Sequence, residues 1–487
     1  MPNFTPTAEQ QAIIDAATST KDNLLISALA GAAKTSTLEL VAKALPDVNM
    51  VCLAFNKAIA DEMKSRLPSN CTSMTLNSLG HRVWGQYLNI RRLNLYQGKM
   101  YKIVSDLVND LPDSEKTEAF QDFAFILRSC NDAKGAGHLP DKFCANLQKP
   151  VDPLLNDAEL IDSLEEKTER HIADLIIRAL NISALQSMEG TIDFGDQVLF
   201  PSLFRCMYLI FSLILVDESQ DLSPLNHRML QQLYRRRIIA VGDQCQAIYG
   251  FRGAFEDGME QMKVRFSMEE LTLSTSFRCP EAIVNHVRWR APHMQAWEGT
   301  PAGSVTTRPA WSLSEIPDGA AVICRNNAPL LSMAVNLLKH GRYPNLWGND
   351  IAKGLIKKLD SLGPRAMAQP QALEALADYH AVQSKKVKNQ NKLLDTIQCL
   401  EIFIREADTL NGAIQYAEHI FSSQGKIELM TGHKSKGHEF DHVYFLDKDL
   451  VGIEGQEPNL RYVIITRTKK TLTYIDSKGC LELEEHS

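Results

Sequence analysis

No Cys-x-x-Cys pair occurs in this sequence, and its ten cysteines, spread from Cys52 to Cys480, never cluster with histidine at zinc-ligand spacing. That excludes a structural zinc module and a disulfide scaffold, and we expect free thiols in a reducing compartment. No apolar run reaches membrane-spanning length, and Met1-Pro2-Asn3-Phe4-Thr5-Pro6 lacks the charged and apolar regions of a signal peptide. The expectation is a soluble, cytoplasmic protein with no membrane partner. Excess positive charge is missing too, since 52 Lys and Arg stand against 59 Asp and Glu for a net charge of −7. A nucleic-acid partner would have to sit in a local groove rather than on a basic tail. Internal repeats and long low-complexity segments are also lacking.

What is present is globular. At 487 residues and 44% apolar content the chain is too long for one core, so two or more domains are expected. Strand-like runs stand at Val51–Ala54, Leu213–Val216, Ile238–Val241, Ala321–Cys324 and Val443–Leu446, separated by helical patterns. Such alternation reads as α/β with parallel layers, and its early and late groups suggest two such domains. Residues 83 to 190 and 351 to 423 carry helical periodicity with little strand signal. The polar, basic stretch Gln383–Lys392 in the second of these reads as a solvated face in preference to a DNA contact.

Ser27 to Ser36 reads as a phosphate-binding loop that lacks its glycines, because G-x-x-x-x-G-K-[ST] demands glycine where Ala28 and Ala33 stand. The strand-like Asn23–Ile26 precedes it and helical spacing from Thr37 to Leu45 follows. In such a loop the segment Ala30, Gly31, Ala32, Ala33 and Ser36 would turn backbone N–H groups toward a β-phosphate. Lys34 would neutralise phosphate charge and the Thr35 hydroxyl would reach Mg²⁺. Taken alone, the segment fits an ordinary βα turn with a surface lysine equally well. At a helix start, alanine in place of glycine at Ala33 is expected to be conformationally acceptable.

Leu213-Ile214-Leu215-Val216-Asp217-Glu218 is an apolar strand ending in adjacent carboxylates, the form of a Walker B segment. Asp217 is placed to hold Mg²⁺, and Glu218 to orient and deprotonate an attacking water. After the next strand comes Gly242-Asp243-Gln244-Cys245-Gln246-Ala247-Ile248-Tyr249-Gly250-Phe251-Arg252-Gly253-Ala254. There Gln246 can sense a γ-phosphate, while Tyr249 and Phe251 offer flat faces to unstacked bases. This segment resembles motif III of UvrD/Rep-type superfamily 1 helicases, which implies DNA contacts by Tyr249, Phe251 and Arg252, and its spacing from Asp217-Glu218-Ser219-Gln220-Asp221 fits that family.

Other family motifs then appear in order. Thr5–Ile13 resembles the Q motif, which makes Gln10 the adenine reader. Ala54-Phe55-Asn56-Lys57-Ala58 and Thr75–Gly80 resemble motifs Ia and Ib, which implies DNA contacts by Phe55, Asn56, Lys57 and Asn77. Asn77 stands where histidine is usual. Ile192-Asp193-Phe194-Gly195-Asp196 resembles the segment that resumes the first motor domain after its insertion. Leu273–Pro280 is similar to motif IV, with Phe277 on adenine and Arg278 on phosphate. Leu429–Phe440 is similar to motif V, with Thr431 and His433 on DNA and Gly437 and Glu439 toward the nucleotide. Arg461–Thr468 is similar to motif VI, with Arg467 as arginine finger.

The resemblance implies two RecA-like parallel-sheet P-loop motor domains with helical insertions. Its boundaries fall at 1–82 and 190–270 for the first motor domain and 83–189 for its insertion. The second takes 271–350 and 424–487, around a reduced insertion at 351–423. The implied activity is an ATP-dependent 3′ to 5′ single-stranded DNA translocase and helicase, a monomer working at single/double-strand junctions with ATP and Mg²⁺. A DNA-stimulated ATPase that remodels protein–DNA complexes without unwinding is the alternative; an RNA motor and a plain P-loop kinase rank below both. Leu29 and Ala33 depart from the family's glycines, the span between motifs IV and V is short, and the chain stops soon after motif VI. Val51–Ser78 also resembles the F-box DNA helicase branch, although no F-box precedes Thr5. A bacterial cell or phage-infected host is the expected setting.

Overall fold

The computed structural model describes residues 5–147, 151–165, 168–385 and 389–481, with the side chains of Glu165, Arg252, Asn349 and Asp350 outside that set. Two compact units divide the chain, Met1–Ala28 with Ala33–Leu273 and Leu29–Ala32 with Ser274–Ser487.

The first unit is built on strands β1 (Leu24–Ala28), β2 (Met50–Ala54), β3 (Cys71–Thr75), β4 (Leu213–Val216), β5 (Ile238–Gly242) and β6 (Glu269–Leu273). They lie in the order β3-β2-β4-β5-β1-β6, with every neighbouring pair parallel. Parallel strands are joined by crossover helices that cover both faces of the sheet, so interior strands must be apolar on both sides. Accordingly β2, β4 and β5 are buried along their whole length. The edge strand β6, Glu-Glu-Leu-Thr-Leu, is mostly exposed, and its charge discourages further pairing. Because β4, β5 and β1 are adjacent, the loops after them emerge side by side at the carboxyl edge, where open α/β sheets hold ligands.

Between β3 and β4 the chain leaves for a helical layer that runs from Lys99–Asn109 to Arg170–Met188 and has its own core around Ile103, Ile126 and Ile176. Asn94–Leu95 pairs in parallel with Thr191–Ile192, which joins the exit and return of this layer. Beneath the junction lies a buried ionic network. Lys99 donates to Asp196 at 2.8 Å, and Lys134 donates to Asp193 at 2.6 Å and forms an ion pair with Asp196 Oδ1 at 2.6 Å. Lys99 also donates to the Ser183 carbonyl and the Ser187 hydroxyl, so its three N–H donors are all engaged.

The second unit carries β7 (Ser304–Arg308), β8 (Ala321–Cys324), β9 (Pro344–Leu346), β10 (Ile427–Thr431), β11 (Phe440–Leu446) and β12 (Thr468–Ile475). Their order is β7-β12-β11-β8-β10-β9, again all parallel. Helices Asn349–Ser361, Gln369–Ser384, Gln390–Arg405 and Leu410–Ser422 fill the interval between β9 and β10 and share one core with the sheet through Leu355, Leu376, Phe403 and Ile414. Of the basic stretch Gln383–Lys392, residues 386–388 lie outside the described set. All ten cysteines are free, and among the described residues no helix is long and apolar enough to cross a membrane.

Candidate functional site

The loop after β1 delivers Lys34 and Thr35 to the start of helix Lys34–Ala44. Ala33, the residue before it, has φ 56° and ψ 41°. This corrects the expectation that alanine is acceptable there, because the left-handed region brings Cβ against the backbone and costs an L-residue about 1–2 kcal/mol. Thr35 Oγ1 donates to Asp217 Oδ2 at 2.9 Å, and Lys34 Nζ stands 3.7 Å from Glu218 Oε1. Asp217 is buried, and burial with the neighbouring Glu218 charge holds its carboxyl well above the usual carboxylate range, against Lys34 and Thr35. A buried carboxylate touching a hydroxyl is a hard-oxygen pair, which fits a magnesium-type cation. Glu218 also sits in the left-handed region at φ 52° and ψ 45°, strain of the kind that collects at functional positions.

The β4 and β5 loops are tied together by Gln220, which sequence reading overlooked. Its Nε2 donates to Glu218 Oε2 at 2.5 Å and its Oε1 accepts the Asp243 N–H at 2.9 Å. Asp243 in turn accepts from Gln246 Nε2 at 2.6 Å and from the Cys245 N–H at 3.0 Å. The signal was a glutamine two residues beyond the carboxylate pair, in a loop short enough to reach the next strand. Three residues past Gln246, Tyr249 stacks on Phe55 at 5.4 Å and 14°, and Phe251 meets Tyr249 edge-on at 6.0 Å. Phe251 is 67% exposed, a large ring left open to solvent.

The remaining residues expected in this unit have the following places. Gln10 is buried, accepting the Thr7 N–H through Oε1 and donating to Thr37 Oγ1, so both ends of its amide are engaged. Ser36 Oγ accepts from Arg66. Asn56 caps helix Lys57–Arg66 by accepting the Ile59 N–H, with Lys57 exposed beside it. Asn77 Nδ2 donates to the Phe194 carbonyl at 2.9 Å and to Gln197 at 3.2 Å. The Arg252 side chain lies outside the described set.

In the second unit, Leu29–Ala32 is held by the segment after β6. Ser276 Oγ donates to the Ala30 carbonyl at 2.8 Å, the Phe277 N–H donates to the Gly31 carbonyl at 2.9 Å, and the Ala30 N–H donates to Tyr462 Oη at 3.1 Å. Gly31 has φ 75°, and a Cβ there would come within 2.5 Å of Ser276 Oγ and 2.7 Å of Arg278 Cβ, so only glycine fits. Ala32 follows it, buried. Phe277 packs against Trp297 at 5.7 Å, a second ring the sequence reading missed. Arg278 Nε donates to Glu439 Oε2 at 2.7 Å; burial works against ionisation, but the Arg278 guanidinium prevails and holds that carboxyl below its ordinary value. Thr431 ends β10, His433 lies in the turn of helix that follows, and Gly437 has φ 92° with open space about it. Arg467 is buried, donating to the Val463 and His438 carbonyls and to Thr466 Oγ1.

A Lys-Thr pair opening the helix after one strand, facing a buried carboxylate pair at the end of another strand of the same parallel sheet, defines a P-loop nucleotide-binding protein. The UvrD/REP helicase N-terminal domain model matches residues 7–267, and the UvrD-like helicase C-terminal domain model matches residues 349–479. The chain belongs to the UvrD/REP helicase family. Among curated proteins it is similar to F-box DNA helicase protein 1 of Schizosaccharomyces pombe, 22% identical across 97% of this chain and 57% of the relative. F-box DNA helicase 1 of Gallus gallus is 23% identical across 96% of this chain and 48% of the relative. A probable DNA helicase II homolog of Rickettsia felis is 29% identical across 48% and 37%. The chain thus spans between about a third and somewhat more than half of the length of these relatives.

Proposed function

We propose that the chain is an ATP-dependent single-stranded DNA translocase and DNA helicase moving 3′ to 5′. It uses ATP and Mg²⁺, works as a monomer on single strands and single/double-strand junctions, and acts in the cytoplasm of a bacterial cell or phage-infected host. The observation that carries this reading is the hydrogen-bonded run Glu218–Gln220–Asp243–Gln246, which joins the carboxylate pair to the loop holding the Tyr249–Phe251 rings.

Bound ATP supplies the γ-phosphoryl group transferred to water. Lys34 would neutralise phosphate charge, Thr35 and Asp217 would hold a magnesium-type cation that supplies further charge neutralisation there, and Glu218 would accept the proton of the attacking water. Gln220 fixes the Glu218 carboxylate and, through Asp243 and Gln246, ties its position to the ring platform that stacks DNA bases. Ordering of the platform by a strand therefore orders the base, which gives DNA-stimulated turnover. Arg278 and Arg467 match, by their motif positions, the family's phosphate-binding arginines, and Phe277 its adenine-stacking ring.

The test is strand displacement from partial duplexes bearing a 3′ or a 5′ single-stranded tail, with ATP turnover followed in parallel. Displacement confined to the 3′-tailed substrate is expected. Turnover with no displacement from either would instead identify a remodelling ATPase.

A further inference from the structure

From Met63 to Ser105 the chain contains no Asp or Glu, a gap of 43 residues in a protein that has 59 of them. Seven Lys and Arg fall inside the gap. Four are matched by carboxylates, Lys64 by Asp61, Arg66 by Glu39 and Glu62, Lys99 by Asp196, and Lys102 by Asp106. Arg82, Arg91 and Arg92 form no ion pair and no side-chain hydrogen bond with any described residue.

Two of these three line a single concavity of about 410 Å³, together with His81, Gln86, Asn89 and Ile90. The wall is built by a reversal of the chain. Helix Leu76–Leu88 ends on Asn89 in the left-handed conformation, φ 56°, which asparagine tolerates. The Ile90 N–H then donates back to the Gly85 carbonyl at 2.9 Å, and a Cβ on Gly85 would lie 3.1 Å from the Ile90 carbonyl. Arg91 is thereby returned against the helix that carries Arg82.

The concavity is linked to Asn77, where the motif Ib resemblance implies a DNA contact. His81 Nδ1 is 3.2 Å from Gln197 Nε2, and Gln197 Oε1 accepts from Asn77. From Asn77 to Asn89 is about 18 Å of helix at 1.5 Å per residue. Two arginines without carboxylate partners, in a chain of net charge −7, match a polyanion whose phosphates accept bidentate guanidinium bonds. The volume admits a single nucleotide unit and not a duplex.

We propose that the Arg82–Arg91 pocket is a second subsite for single-stranded DNA, gripping the phosphodiester backbone of the strand beyond Asn77. This inference rests on the DNA-binding reading above.

The test measures binding of fluorescein-labelled oligothymidylate to the full chain by anisotropy between 50 and 200 mM salt, with a blunt duplex as second probe. Arg82→Gln/Arg91→Gln should raise Kd for the oligonucleotide about tenfold at the low-salt end. It should also flatten the log–log salt dependence by about 0.7, the slope of one single-strand phosphate contact. Arg82→Lys/Arg91→Lys, which keeps the charge, should retain the wild-type slope, and thermal melts of both variants verify the fold. An unchanged slope in the glutamine variant, or a loss seen only with the duplex, overturns the pocket while leaving the DNA reading in place. Failure of the wild-type chain to bind the oligonucleotide overturns that reading itself.

Discussion

Gln220 Nε2 donates to Glu218 Oε2 at 2.5 Å, while the same amide accepts the Asp243 N–H at 2.9 Å. One side chain therefore sets both the residue proposed to accept the water's proton and the first residue of the loop that carries the rings. Gln220→Met keeps the bulk and removes both hydrogen bonds. DNA-stimulated turnover should fall by about tenfold or more, since a misplaced base loses transition-state stabilisation. Affinity for DNA, measured by anisotropy, should stay within about twofold.

Ala33 is held at φ 56°, where glycine carries no Cβ penalty. Ala33→Gly should raise stability by about 1 kcal/mol in denaturant melts, the cost of placing an L-residue in that region. Turnover should be equal or faster. A slower enzyme would show that the loop is tuned around the methyl group.

Much of this was legible in the sequence. The apolar strands β1, β2, β4, β5, β8 and β11 announce themselves because parallel interior strands must be apolar on both faces. The motifs around Lys34, Asp217 and Asp243 fix where the loops after three of them must converge. The edge strands β6 and β7 stayed hidden behind their charges and hydroxyls, and β12 behind Lys469 and Lys470. Backbone strain at Ala33 and Glu218 was illegible because φ is set by the loop around a residue and not by its identity. Gln220 could have been found by its place after the carboxylates. The clasp between Lys99, Lys134, Asp193 and Asp196 could not, since it joins residues 97 positions apart.

That clasp leads to a stability prediction. Asp196→Ala leaves Lys99 and Lys134 buried beside each other with one carboxylate between them. Breaking a buried ion pair on one side costs about 3–5 kcal/mol, so the variant should unfold at markedly lower denaturant concentration. The helical layer from Lys99 to Met188 should gain hydrogen exchange first.

His227 gives a pH dependence of definite sign. Its ring is buried against Phe255, neither nitrogen has a hydrogen-bond partner among the described residues, and burial, followed by Arg265, pushes its pKa down to about 4. The unfolded chain takes up that proton near the ordinary histidine value of about 6.5, so stability is full above that pH and falls as pH drops toward 4. His227→Phe should flatten the loss between pH 6.5 and 4 in thermal melts. An unaltered profile would assign the pH dependence to other groups, such as His138, whose pKa burial likewise pushes down to about 4.

On the proposed function, the Lys34–Glu218 site hydrolyses ATP under the control of a DNA strand lying on the Phe55–Tyr249–Phe251 rings. Steady-state ATP turnover with and without saturating single-stranded DNA addresses it directly. Turnover should rise at least tenfold on adding DNA, and Glu218→Gln should abolish it. Absence of turnover at saturating DNA, or a rate indifferent to it, would rule out a DNA-controlled ATPase at this site.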